Sequence, residues 1–162
     1  MKEYITTLIA HLAEAEGVNY VDVNWGQLDL ENPPVRYPAV LVSIDDVSYT
    51  NIARGGQMAE ATLTITIAQE RLSRSSARAK QASRTMAAGI YDAIDAVHAA
   101  LAYWRPQDVQ VQLLTRQSCT RIRQDERGID TYAVTYRTGW REHIPDAGKM
   151  MARIDSVESR EG

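Results

Sequence analysis

The plainest apolar pattern in the chain runs through Ala61-Thr62-Leu63-Thr64-Ile65-Thr66-Ile67, where apolar residues alternate with threonine without a break. Period two buries every second side chain on one face of a strand. Ala39-Val40-Leu41-Val42-Ser43-Ile44, upstream, is richer in apolar residues and forms its partner. Between them lies Asn51-Ile52-Ala53-Arg54-Gly55-Gly56-Gln57, whose Gly-Gly pair gives the backbone access to positive φ. Residues 38–71 are therefore predicted to form a long protruding β-hairpin, with the rest of the chain packing on it or extending it.

The period changes on either side. Over residues 2–16, Tyr4, Ile5, Leu8, Ile9 and Leu12 fall on one helical stripe, and Gly17 stands where a helix is usually stopped. Residues 19–25 alternate again, with Val21, Val23 and Trp25 on one side and Asp22 and Asn24 on the other. Pro33, Pro34 and Pro38 exclude helix from the loop over residues 26–37. A second, longer helix is predicted over residues 73–103, capped by Ser73 and ended by Arg105-Pro106. Leu72, Ala79, Met86, Ile90, Ile94, Val97 and Leu101 form its stripe, bordered by Ala82 and Ala93. Residues 109–123 and 129–140 complete the set as two strands joined at Asp125-Glu126-Arg127-Gly128. In the second of them Tyr132, Val134, Tyr136 and Trp140 share a face. Runs of hairpin-joined strands with separate helices mean an α+β fold: a mixed, mainly antiparallel sheet of about five strands with two helices packed on one face. The pattern places one domain over residues 1–142 and a C-terminal arm or tail over 143–162.

Composition changes this picture only slightly. Hydrophobic content of 44% and charged content of 24% are those of an ordinary globular domain, and a net charge of −3 argues against a general polyanion binder. With no Phe, 8 Tyr and 3 Trp, the core must draw its aromatic bulk from side chains that also carry a polar group needing a partner. Cys119 is the single cysteine, so no intramolecular disulfide forms. No stretch approaches the ~20 apolar residues of a membrane span, and the N-terminus does not read as a signal peptide. A cytoplasmic site of synthesis is expected.

Candidate chemistry is sparse. His11, His98 and His143 share no metal-site spacing and are read as unrelated helix or surface histidines. Asp45-Asp46 are consecutive strand residues, which point to opposite faces and so do not chelate together; Asp92 and Asp95 sit on a helix. Ser75-Ser76 and Ser118-Cys119 lack the flanking glycines of a nucleophile elbow. Arg54-Gly55-Gly56-Gln57 lies between strands, so a hairpin tip fits it better than a phosphate cradle. Arg71, Arg74, Arg78, Lys80 and Arg84 flank both sides of an apolar stripe, as on any amphipathic helix, with a charged subunit contact or a DNA-lined channel as the other readings. No catalytic, cofactor or metal site is assigned.

The layout resembles that of tail terminator, or tail-completion, proteins of tailed bacteriophages and the related neck proteins. The likeness covers about residues 1–142: an amphipathic first helix, Pro38-Ala39-Val40-Leu41-Val42-Ser43-Ile44, a long hairpin with a Gly-rich tip, a helix containing Ile90-Tyr91-Asp92-Ala93-Ile94-Asp95-Ala96-Val97, and Gly128-Ile129-Asp130-Thr131-Tyr132-Ala133-Val134-Thr135-Tyr136-Arg137 at the close. It implies a structural virion protein with no enzymatic role, located at the head-proximal end of the tail. Such proteins form a homo-oligomeric ring, a hexamer in the usual case, that caps the tail tube and meets the head connector. Genomic DNA passes through the ring without sequence-specific binding, and no cofactor or membrane is involved. On this reading the subunit contacts fall at the tip (Asn51, Ile52, Arg54, Gly55, Gly56), on the second helix (Arg74, Arg78) and on the arm (Met150, Met151, Ile154). Three other readings stay open: a head–tail connector, a small metal-dependent hydrolase using Asp45, Asp46 and a histidine, and a DNA-binding module using the arginines of residues 71–84.

Overall fold

The structure is a computed structural model that describes residues 2–52, 56–71, 89–107, 110–124 and 128–143. In chain order the elements are helix α1 (Lys2–Leu12), strand β1 (Tyr20–Val23), a 3-10 turn (Gln27–Asp29), strands β2 (Ala39–Ile52) and β3 (Gly56–Glu70), helix α2 (Gly89–Leu101), and strands β4 (Thr115–Gln124) and β5 (Ile129–His143). The five strands form one sheet in the order β1-β2-β3-β5-β4. β1 runs parallel to β2, and every other neighbouring pair is antiparallel. This is the expected α+β architecture.

Alternation sets which side chains meet the helices. Val40, Val42 and Ile44 of β2, Leu63, Ile65 and Ile67 of β3, and Tyr132, Val134 and Tyr136 of β5 lie in register across one face. Tyr4, Leu8 and Leu12 of α1 and Ile90, Ala93, Ile94, Val97 and Leu101 of α2 join them in one core. The stripe read from the first helix is thus the buried one, and so is the described part of the second, Ile90, Ile94, Val97 and Leu101; Leu72, Ala79 and Met86 lie outside the described residues. α1 is shorter than expected and ends at Leu12, where the Ala13 amide donates to Ile9 O (3.0 Å); Gly17, at φ 77°, turns the chain four residues beyond Ala13. Among the described residues the reverse face is covered at one end only. There Ala39, Ala68 and Ile129 pack under Tyr20 of β1 and under Leu28, Val35 and Tyr37 from the loop before β2. Gln27, fully buried, holds that loop to the sheet by donating to Val23 O (2.9 Å) and accepting from the Trp25 amide (2.9 Å).

Several expectations are corrected. The hairpin does not stand as a two-stranded ribbon, because β5 accompanies β3 from Gly56↔His143 to Glu70↔Ile129. Chain order does not reveal this, since β3 and β5 are separated by a helix and a strand. Residues 53–55 lie outside the described residues. Gly56 does not have a positive φ; its value is space, because an added Cβ would meet Ile52 Cγ1 at 3.0 Å. β1 stops at Val23, and Trp25 is 57% exposed rather than sharing a strand face with Val21 and Val23. The fourth strand begins at Thr115, not at residue 109. Upstream of it Val111 makes a single bridge to Trp140, the Gln112 amide donates to Gly139 O (2.7 Å), and the Gln112 carbonyl is taken by the Thr138 hydroxyl (2.8 Å). β5 runs past its expected end at Trp140 to His143, the first residue assigned to the arm. Residues 144–162 lie outside the described residues.

Candidate functional site

The half of the sheet that the loop leaves bare is lined by short polar side chains. Ser43, Thr64, Thr135 and Ser118 form one row across β2, β3, β5 and β4, and Asp46, Thr62, Arg137 and Thr115 form the next. Arg137 pairs with Glu60, and these side chains border a shallow cleft of about 350 Å³. The Asp45-Asp46 expectation is overturned here. A β-bulge between Ile44 and Asp46 inserts Asp45 as an extra residue. Two residues then oppose one, and strict alternation fails. Asp45 accepts from Ser43 Oγ (2.8 Å) and Thr64 Oγ1 (2.5 Å), both on the polar face, and Asp46 pairs with Thr62 on that same face. The two carboxylates share a face after all. His11 and His98 do not join them, since both lie on the helix side; the side chain of His143 lies outside the described residues. Among the described residues no group of three or more His, Cys, Asp or Glu is placed to hold a metal ion.

His11 and His98 serve packing. His11 Nε2 bonds Ala100 O (2.8 Å) and its ring stacks on Trp104 at 4.9 Å, joining α1 to the end of α2. His98 Nδ1 sits 3.2 Å from the Tyr136 hydroxyl. Burial lowers the His98 pKa, the nearby Arg116 charge lowers it further, and Asp95 opposes both. Burial pushes the Tyr136 phenol up to about 12.

The sheet has two outer edges. At one, β1 pairs only Ala39–Val42, so four of the fourteen β2 residues are covered and the ten from Ser43 to Ile52 have no strand on that side among the described residues. At the other, β4 is the last strand of ten residues, and every side chain from Thr115 to Ile122 is exposed. Bulges at Gln117 and Ile122 distort its pairing with β5. Of the expected contact residues, Asn51, Ile52 and Gly56 come together where β2 meets β3. Asn51 Oδ1 accepts from Gln57 Nε2 (2.9 Å), and Ile52 covers Gly56. Arg54, Gly55, Arg74, Arg78, Met150, Met151 and Ile154 lie outside the described residues, as do Lys80 and Arg84. A second open pocket, about 550 Å³, is bounded by Arg105, Gln110, Gln112 and Trp140.

One polar cluster escaped the sequence reading. Asp130, with 10% of its side chain exposed, is held by Arg71 through Nε (3.1 Å) and Nη2 (2.6 and 2.8 Å) and by Arg121 Nη2 (2.5 Å). The Arg71 amide also donates to Gly128 O (2.8 Å). Arg71 is therefore a clamp between the end of β3 and the β4–β5 turn, not one more solvated flank of a helix. The signal was present: Asp130 has the parity of Tyr132 and Val134, and an acid on a buried face needs a cationic partner. Burial opposes ionisation of Asp130, but the hydrogen bonds and charges of the two arginines outweigh it and hold the carboxyl below its ordinary value. Stabilisation from this cluster is complete above about pH 5 and is lost as pH falls through the depressed value. Asp130→Asn is expected to cost about 1–2 kcal/mol at pH 7, the range for charge-assisted hydrogen bonds discounted for two part-exposed arginines. Urea titrations at pH 7 and pH 3 should show the gap between variant and wild type shrinking at the lower pH; an equal gap at both would refute the ionised clamp.

No family model matches the chain and no curated protein matches it in sequence. Among solved structures, a chain of "Virion of native gene transfer agent (GTA) particle" is similar at 16% identity and a TM-score of 0.49, over 83% of this chain and 84% of that one. No helix among the described residues is long and apolar enough to cross a membrane.

Proposed function

We propose that this protein is a structural subunit of a phage-type virion that works by assembling with copies of itself, in the manner of a tail terminator: a ring, six copies in the favoured form, that ends the tail tube and meets the head connector. The observation that carries the self-assembling part is the pair of edges, one at each side of a single sheet, that no strand among the described residues covers. A free row of backbone N–H and C=O groups is a template for another strand. Two different edges on opposite sides make a head-to-tail contact, and such contacts close into rings when the rotation between copies divides a full turn. The virion setting comes from the likeness of element order, which is an analogy of fold. No catalytic role is assigned. Among the described residues the polar face carries serines, threonines, the acids Asp45, Asp46 and Glu60, and Arg137, whose charge is taken by Glu60, and it forms no cationic groove. That suits a surface past which DNA slides without being gripped.

Mass photometry and negative-stain electron microscopy of the purified protein, from micromolar to near-millimolar concentration, test this. Closed rings of one size are expected. A chain that stays monomeric throughout, or forms only two-fold dimers, overturns the ring. Rings that dock on a portal-side adaptor rather than on the tube would move the protein to the head side of the neck.

A further inference from the structure

His11 and His98 meet hydrogen-bond partners of opposite kind. His11 Nε2 faces a carbonyl, Ala100 O (2.8 Å), which can only accept, so this nitrogen carries a proton. A second proton, added at Nδ1, leaves that bond in place and puts a cation against the Trp104 ring stacked at 4.9 Å. His98 Nδ1 faces a hydroxyl instead, Tyr136 Oη at 3.2 Å. Tyr136 is 1% exposed, and His98 is its only hydrogen-bond partner among the described residues. With its phenol pushed up to about 12, Tyr136 keeps its proton across the neutral and acid range, and that buried O–H needs an acceptor. Neutral His98 supplies one when its proton sits on Nε2 and the bare Nδ1 takes the bond.

We propose that the His98–Tyr136 pair is an acid-sensitive latch fastening α2 to β5: protonation turns Nδ1 from acceptor to donor, strands the buried Tyr136 proton and loosens the C-terminal half of the helix from the sheet. The surroundings push the same way. The imidazole meets Tyr136 of β5, Arg116 of β4, which stands opposite Tyr136 in the ladder, and Asp95, three residues back on α2 itself. Cys119, further along β4, acts on Tyr136. Among the described residues no other charge bears on His98. A second cation beside Arg116 is disfavoured. Asp95 attracts it, but from the exposed face of the helix, where water and salt screen it. A histidine held below its ordinary value lends the fold its full contribution above about pH 7.5. That contribution drains away as pH falls through the ordinary value, about 6.5, towards the depressed one. The latch belongs to the single chain and works whatever the chain assembles into.

Urea titrations of the full chain at pH 7.5 and pH 5.5 read the latch. Between the two, the wild-type folding constant should fall about 5–10-fold further than that of either latch variant, the lower end of the penalty for an unsatisfied buried hydroxyl. Tyr136→Phe has no hydroxyl proton to strand. His98→Gln keeps an accepting oxygen that does not titrate in this range. His11→Gln, by contrast, should retain the wild-type fall. Proton–nitrogen correlation spectroscopy of the wild-type imidazole rings supplies a readout that needs no variant to fold. At pH 7.5 His98 should carry its proton on Nε2 with Nδ1 bare, and it should gain the second proton at a lower pH than an unfolded-chain histidine. A wild-type fall no larger than that of the two latch variants overturns the proposal. So does a His98 found protonated at Nδ1 at pH 7.5.

Discussion

Gly139→Ala should lower the melting temperature by roughly 6–12 °C. An added Cβ at this position would sit 2.7 Å from the carbonyl oxygen of Ala59 and 3.4 Å from the Gln112 side chain. The first of these is main chain. It is fixed in the β3–β5 ladder next to the Glu60↔Gly139 pair and cannot rotate away. Relief must come from prising β3 and β5 apart or from breaking the bond between the Gln112 amide and Gly139 O. Overpacking of this kind costs up to about 3 kcal/mol, and in a domain of this length each kcal/mol moves the transition by about 2–4 °C. Gly56→Ala should cost less, because the obstacle there is the tip of the Ile52 side chain, which can swing. Gly89→Ala meets nothing within 4 Å in α2 and should be neutral or stabilising by up to about 1 kcal/mol. The order Gly139, Gly56, Gly89 in scanning calorimetry is the prediction. A Gly139→Ala protein as stable as the wild type would mean the two strands are not held together there.

The contrast among these glycines shows what the chain makes legible and what it hides. Alternation over residues 61–67 identified β3 because one face of that strand meets only apolar partners, and the stripes on α1 and α2 were legible for the same reason. Space between neighbouring backbones has no such signature. Gly139 lies in the interior of a strand, and nothing in the neighbouring residues says that a carbonyl stands over it. The extra residue at Asp45 is equally silent: a bulge changes which face a side chain takes without changing the composition of the strand. Pairing order is a third blind spot. β3 lies beside β5 rather than α2's neighbour in sequence, and only long-range contacts decide that. Asp130 is different, since its parity with Tyr132 and Val134 marked it as a buried acid that had to find a cation. The candidate contact surface was therefore half legible. Unfinished sheet edges follow from the number and order of strands, but which stretches stay bare depends on β1 stopping after four residues and on β4 lying outermost.

Trp140→Ala should have the largest effect of any single change considered, a loss of about 4 kcal/mol, or about 8–16 °C in melting temperature. In a chain without Phe, four rings form a row through one end of the core. Trp140 lies 5.8 Å from Tyr4, Tyr4 lies 6.1 Å from Trp104, and Trp104 stacks on His11 at 4.9 Å. The row ties β5 to α1 and α1 to the end of α2. Two of the polar groups in the row are bonded: Trp140 Nε1 donates to Glu142 Oε1 (2.7 Å) and His11 Nε2 bonds Ala100 O. The Tyr4 hydroxyl is buried without a hydrogen-bond partner among the described residues, and burial pushes the phenol up to about 12, so it stays neutral. Removing Trp140 leaves Tyr4 facing a void and loosens the single bridge that carries Val111 beside β5. Trp140→Phe separates the two contributions. It keeps an aromatic surface against Tyr4 and forfeits only the N–H bond and part of the volume, so it should cost about 1–1.5 kcal/mol. Chemical denaturation with near-ultraviolet circular dichroism reads both the stability and the ordering of the ring row. If Phe proves as damaging as Ala, the hydrogen bond to Glu142 rather than the stacked rings holds this end of the sheet; if neither variant shifts the transition, the row is incidental and α1 is anchored by Leu8 and Leu12 alone.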